Sequence, residues 1–306
     1  MRSRQNPRIL IIGRDGQVAR ALLDVLPISG ADVTAIGQPQ IDLLRPETVV
    51  TAIRSWRPSL VVNAAAYTAV DRAEDEPETA RVINAEAPGV LAAAAAQVGA
   101  MMVHFSTDYV FDGSKRTPYE ETDEPRPLGV YGATKLAGER AVVSANPCSV
   151  VLRTAWVCGA HGNNFLKTIL RLAAEHPALR VVADQVGSPS FAADIAAAVA
   201  AIGERLHADA APGPEHFGVF HITNAGTTTW HGLASAIVAA AARRGRRPVS
   251  VEAIATADYP TRAARPAYSK LATDKIKRSY GIHMPAWEAS LEPVMDQLLG
   301  AAGVEG

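Results

Sequence analysis

The chain has 306 residues, enough for one large or two ordinary domains, and its 48% hydrophobic content can fill a sizeable core. A formal net charge of −1 leaves no global basic footprint for nucleic acid. Two cysteines, Cys148 and Cys158, form neither a disulfide framework nor a zinc pattern and suit a reducing cytoplasm; the apolar run at residues 9–12 is too short for a secretory segment, and no stretch reaches membrane-spanning length.

Residues 8–12 read as a short buried strand. Gly13-Arg14-Asp15-Gly16-Gln17-Val18-Ala19 then opens a helix expected to run to about residue 26. Strand, glycine turn and helix are the setting of a dinucleotide fingerprint. Glycine admits a pyrophosphate, and the helix N-terminus offers free N–H groups. The spacing here is G-x-x-G-x-x-A. Residues 32–36 are a second strand, and Pro46 starts a helix to about residue 56. Asp42, between them, is either an adenosine contact or a turn acid. Residues 60–62 are a third strand. It ends on small residues that permit close approach of a flat ligand or of a helix. Residues 84–99 are expected to be helical, with Asn84 a brace for the site or a polar residue on a helix face.

The central stretch runs from Val103 to Glu139. An apolar strand, residues 101–105, ends at Ser106-Thr107-Asp108. A loop leads to Tyr131 and Lys135, four apart on a predicted helix and so on one face. A free phenol, with a pKa near ~10, is a poor acid at neutral pH. A nearby ammonium lowers that value toward the working range of a general acid. A hydroxyl from Thr107 can hold a substrate oxygen beside the phenol. The plain alternative is a chance Tyr-x-x-x-Lys on an exposed helix, and so short a motif does not separate the two.

Residues 149–153 form another strand, followed by Trp156, a candidate to stack on a substrate ring or to pack at the rim. The alternation of strand and helix predicts an α/β protein. We expect a doubly wound parallel-sheet Rossmann domain with a smaller α/β substrate domain. Residues 1–157 plus about 190–245 are assigned to the first, and about 158–189 plus 246–306 to the second. Ligands bind beyond the carboxyl ends of such strands, so Gly13, Ala65, Thr107 and Trp156 should share one rim. Further helices are expected at 166–175, 192–206, 229–243 and 287–299, with a loose tail after Gly300. Arg243, Arg244, Arg246 and Arg247 read as cations at a helix C-terminus capped by Gly245. Arg262 and Arg265, on a Pro-rich loop, suit a diphosphate or are solvated charges.

Taken together, the segments 13–18, 63–71, 106–113, 130–139 and 152–157 resemble the dTDP-4-dehydrorhamnose reductases, a family of extended short-chain dehydrogenases. Segments 184–190 and 262–269 look similar as well, and the resemblance covers roughly residues 8–299. The glycine turn and Tyr-x-x-x-Lys mark only the superfamily. Residues 106–113, Trp156 and the Arg265-Pro266 loop narrow it. The resemblance implies hydride transfer to C4 of dTDP-4-dehydro-β-L-rhamnose, the last step of dTDP-L-rhamnose synthesis for cell-surface polysaccharide. It makes Tyr131 the proton donor, with Lys135 lowering its pKa and holding the nicotinamide ribose, and it has Thr107 orient the carbonyl. Thr107, Asp108 and Trp156 would face the sugar. Gly16, Gln17, Val18, Asp42, Leu43, Ala65, Ala66 and Tyr67 would hold the cofactor with Gly13, Tyr131 and Lys135.

The second strand ends at Ile36-Gly37-Gln38 without the acid that favours NAD, and Arg14 is placed to meet a 2′-phosphate. NADPH is therefore the expected cofactor, with NADH accepted as well. A nucleotide sugar is the expected partner, and a homodimer the expected assembly. Some family members hold magnesium through glutamates at a dimer interface. The matching positions here are Ala21 and Ala193, which cannot ligate, so neither that metal nor that metal-held dimer is expected. Two other readings stay open: a nucleotide-sugar epimerase, and a non-catalytic cofactor-binding subunit similar to the methionine adenosyltransferase beta subunit.

Overall fold

A computed structural model describes residues 6–209 and 211–301. Most of the tail expected to be loose lies outside the described residues. Six strands, β1 (Arg8–Ile12), β2 (Asp32–Ile36), β3 (Leu60–Asn63), β4 (Met101–Thr107), β5 (Ser149–Thr154) and β6 (Gly218–His221), form one sheet in the order β6-β5-β4-β3-β1-β2. All neighbours run parallel. Parallel strands need crossovers, and helices supply them on both faces.

The strands show why both faces are covered. Ile9 and Ile11 of β1 join one core, while Leu10 and Ile12 join the other. Side chains alternate across a strand, so a run of consecutive apolar residues demands cover on each side. Helices Gln17–Val25 and Ala192–Ala208 pack together over the first face. Glu47–Trp56 and Ala87–Gln97 cover the second. A third core lies outside the sheet, around Leu166, Ile169, Leu179, Leu233, Ile237, Leu291 and Met295. It joins helices Phe165–Glu175, Trp230–Ala242 and Trp287–Leu299 to the parallel pair Ala178–Val182 and Ser250–Ile254. Side-chain caps start two of these helices: Asn164 accepts from the Lys167 amide at 3.0 Å and Thr229 from the Gly232 amide at 3.0 Å.

Two placements differ from the sequence reading. Helix Trp230–Ala242, expected to accompany the nucleotide-binding part, buries its apolar face in the third core. Residues 274–280, assigned with the substrate part and not read as a helix, form helix Asp274–Tyr280, which sends Ile276 into the core of the sheet. Helix Trp230–Ala242 is apolar nearly all round, and Asp274–Tyr280 buries a single isoleucine among polar residues, so neither pattern names its packing partner. The basic cluster also does more than cap. Arg244 bridges to Glu292 at 2.9 Å and Asp296 at 2.6 Å on the C-terminal helix. Arg247 donates to the carbonyls of Ala173 and His176, closing a different helix end.

Candidate active site

The sheet order reverses at β1, whose neighbours are β3 and β2. The crevice beyond the carboxyl ends of β1 and β3 is therefore the expected ligand position. A cleft of about 660 Å³ opens there. Gly13, Arg14, Gly16, Gln17 and Val18 form one wall. Asp42, Leu43, Ala65 and Ala66 line it further along, and Tyr131 and Lys135 close the end.

Each wall has a local cause. Gly13 has φ +99, and a Cβ there would lie 3.2 Å from the Ala65 amide nitrogen. Only glycine brings β1 and β3 that close in that conformation. Gly16 is the N-cap of helix Gln17–Val25 and supplies no side-chain cap, so the first-turn N–H groups face the cleft unsatisfied. Gln17 donates to the Val157 carbonyl at 3.4 Å and accepts from Asn164 at 2.9 Å, tying the turn to the residues after β5. The Asp42 carboxylate is engaged as a turn acid, accepting from the Leu44 amide at 3.0 Å and Arg45 at 3.2 Å. Arg14 reaches the Gln38 carbonyl at 3.4 Å on the cleft rim. Tyr67 turns its side chain out to Glu76, 2.8 Å away, while its backbone N–H and C=O both pair with the buried Asn84 amide. Asn84 is thus the brace of the pair of roles open to it. Its carbonyl approaches helix Val130–Ala145 at Gly138, where a Cβ would sit 2.0 Å away.

The chemistry-bearing end is built from β4 and that helix. Thr107 ends β4, accepts from the Tyr109 amide at 3.2 Å and donates to Asp108 at 3.1 Å. The Glu74 carboxylate receives the Val130 amide at 2.8 Å and fixes the helix start, which sets Tyr131 in the first turn. Tyr109 meets the Tyr131 ring edge-on, centroids 5.6 Å apart. Thr107 stands close enough to the Tyr131 hydroxyl to oppose the rise in its pKa. Asp108 is buried beside Ser269, and burial pushes its carboxyl up to about 6. Its second oxygen has no hydrogen-bond partner.

Lys135 behaves differently from the sequence expectation. Its ammonium donates to the Phe105 carbonyl at 2.6 Å. Burial lowers it to about 8, with Glu139 opposing that shift. Burial likewise raises Tyr131 above the usual phenol value, and Lys135 does not lower it in this state. Helical spacing brings the two residues to one cleft but does not aim the ammonium at the phenol. Glu139, one turn further on, is fully engaged by Arg153 of β5 through two hydrogen bonds of 2.9 and 2.7 Å, and it accepts from Ser106. This buried bidentate pair was not read from the sequence, because its members lie on separate elements with no shared motif.

Trp156 has φ +48 and stacks on Trp230, centroids 3.7 Å apart and planes at 12°. One face of Trp156 is therefore covered by an aromatic that sequence reading missed. Gly187 lies against its edge, where a Cβ would be 2.7 Å from the ring. Arg262 is an exposed charge that meets an exposed acid, whereas Arg265 is largely buried. Arg265 pairs with Asp71 at 2.7 Å, Arg262 pairs with Asp75, and Asp71 also accepts from the Ala263 amide at 3.1 Å. These contacts clasp the loop to the residues following β3. The Arg265 Nη1 atom is buried without a partner. Among the described residues no group of three or more His, Cys, Asp or Glu is placed to share a metal ion, and no helix is long and apolar enough to cross a membrane.

A family model described as the RmlD substrate binding domain matches residues 7–299. The dTDP-4-dehydrorhamnose reductase of Burkholderia thailandensis is 45% identical over 296 residues, covering 95% of this chain and 99% of the relative. That of Salmonella typhimurium is 40% identical, covering 95% and 97%. A crystal structure of a dTDP-4-dehydrorhamnose reductase from Bacillus anthracis, in complex with NADP, superposes with TM-score 0.88 at 33% identity over 96% of this chain and 100% of that one. A UDP-glucose 4-epimerase from Thermus thermophilus, 21% identical with TM-score 0.78 over 96% and 99% of the two chains, shares the fold alone. With its cleft at the sheet's switch point and a match along almost its whole length, the chain belongs to the RmlD family, that of the dTDP-4-dehydrorhamnose reductases.

Proposed function

We propose that the chain reduces the C4 ketone of dTDP-4-dehydro-β-L-rhamnose to dTDP-L-rhamnose with NADPH. The observation that carries this is one cleft that takes in both Tyr131 and Lys135, with Thr107 beside Tyr131, and that has an uncapped helix N-terminus in its wall. That cleft fits a dinucleotide. Gly16 has open space where a side chain would stand, and the first turn of its helix carries no acid. Arg14 would meet the adenosine 2′-phosphate, and Ala65 and Ala66 leave room for flat rings. When bound, the reduced nicotinamide supplies the hydride.

The residues of the chain do the rest. Thr107 and Tyr131 hold the C4 oxygen, and Tyr131 protonates it as negative charge develops there. Burial keeps the phenol protonated until that moment, which suits a donor. Lys135 then stabilises the phenolate, and it is charged below about 8. Asp108 is ionised above about 6 and accepts a sugar hydroxyl with its unpartnered oxygen. Trp156, backed by Trp230, forms a rigid wall for the sugar ring. Arg265, whose buried Nη1 has no partner, would meet the diphosphate. Asp42, Leu43 and Tyr67 border the cofactor through backbone and shape. Two unpaired cysteines fit a cytoplasmic enzyme, and a homodimer is the assembly we expect.

The test is a turnover assay with the keto-sugar nucleotide and NADPH. One NADPH should be consumed for each sugar reduced, with Thr107→Val inactive. Sugar interconversion without NADPH loss, or equal use of a uridine-diphosphate sugar, would sink the proposal.

A further inference from the structure

Behind the cleft, three buried polar side chains from three elements stand in a row. Asn63 ends β3, His104 sits on β4 directly opposite it, and Lys135 lies on the helix above. Their exposures are 1%, 0% and 2%. The steps assigned to Thr107, Tyr131 and Lys135 do not use His104.

The geometry fixes the histidine's protons. Asn63 Oδ1 accepts from the Ala65 amide at 3.2 Å, so its Nδ2 is the atom 3.1 Å from His104 Nδ1. An amide N–H there requires Nδ1 to accept. Neutral imidazole carries one donor and one acceptor, so Nε2 holds the proton. Burial, with the nearby Lys135 charge, holds His104 well below the ordinary histidine range and keeps it neutral. Its Nε2 lies 3.5 Å from Lys135 Nζ. An ammonium has only donors, so an N–H faces an N–H.

We propose that His104, locked as its Nε2–H tautomer by Asn63, is a positioning residue for Lys135 that turns the ammonium off the imidazole and onto the Phe105 carbonyl, and disfavours its charged form. The inference rests on the reading of Tyr131 and Lys135 given above. Whenever Lys135 gives up a proton, its new lone pair meets a donor already in place. No proton leaves His104 in that step. Other groups around Lys135 act too. On its own helix are Tyr131 and Glu139. From β5 comes Arg153, which neutralises Glu139. Beyond Tyr131 lie Asp108 and Tyr109. Glu139 favours the ammonium, and His104 opposes it.

Nitrogen-15 NMR of the full-length protein tests the tautomer without turnover. One histidine, assigned by its loss in His104→Phe, should show an unprotonated Nδ1 and a protonated Nε2 across neutral pH. A protonated Nδ1, or a doubly protonated ring, would overturn the proposal. Asn63→Asp should move the proton to Nδ1, and a ring that keeps Nδ1 bare would count against the role of Asn63. The titration of the Lys135 side chain, followed by carbon-13 NMR, should move up by at least about half a pH unit in His104→Phe. The alkaline limb of kcat should follow it. An unmoved or lowered lysine midpoint would refute the positioning role. These resonances are read in the free protein, so they stand apart from whether the sugar assay succeeds. If His104→Phe does not fold, the wild-type tautomer and Asn63→Asp decide the question.

Discussion

Asp108→Asn should change how stability depends on pH. In the unfolded chain this carboxyl ionises near 3.8, whereas in the fold burial holds the proton to about 6. A raised carboxylate pKa means that the folded state binds the proton more tightly. Ionisation therefore costs stability above the unfolded value, and the cost grows until pH passes the folded value. The two values differ by roughly two units, so the cost is about 3 kcal/mol at pH 8 and roughly half that at pH 5. An asparagine carries no such cost, although its amide at the unpartnered position brings a fixed penalty of about 1–3 kcal/mol. That penalty does not vary with pH, so the comparison across pH isolates the charge. Urea unfolding of both proteins at pH 5 and pH 8 reads it through the midpoints. Relative to wild type, the variant should gain between the two conditions by an amount on the order of 1 kcal/mol. Parallel curves for the two proteins would show that Asp108 ionises as freely in the fold as in water, and its burial would then have no electrostatic consequence.

Tyr131→Phe should abolish turnover and leave cofactor binding nearly unchanged, because only the proton is lost. Retention of more than about a tenth of kcat, a loss under ~1.4 kcal/mol, would exclude Tyr131 as the acid. Arg14→Ala should weaken NADPH more than NADH in kcat/KM. A wild-type preference for NADH of about tenfold or more would instead give cofactor choice to Asp42. Arg265→Ala should mainly raise KM, since the diphosphate keeps its charge through the reaction. A pure fall in kcat would point to the clasp with Asp71 as its main role.

Much of the fold was legible because it is written locally. The strand at Arg8–Ile12 is a run of consecutive apolar residues, and the glycine turn after it follows from backbone freedom at Gly13. Tyr131 and Lys135 were found by helical spacing, and the cleft receives both. What was hidden is non-local. Trp230 stacks on Trp156 from 74 residues away in sequence, as the numbering shows, and no periodicity announces it. The direction of the Lys135 ammonium depends on the Phe105 carbonyl, a backbone group that every sequence carries. Asp71 and Arg265 meet across 194 residues, so their pairing was invisible to a reading of either segment alone. The helix at Trp230–Ala242 was legible but not the core that takes it, and Asp274–Tyr280, a short segment with one buried isoleucine, was not read as a helix.

The placing of β6 has a bearing on how the protein is made. This strand completes one edge of the sheet beside β5, and helix Asp274–Tyr280 packs against it. Residues 6–154 supply five strands and most of the cofactor cleft, yet they leave the β5 edge bare. On the ribosome that edge waits, with its backbone N–H and C=O groups unpaired, while more than sixty further residues are added to reach Gly218. The glycine turn and the tyrosine are therefore in place well before the sheet that carries them is closed. The interval is one in which a neighbouring nascent chain can pair with β5 in place of β6, so the late strand acts as the guard of an early one.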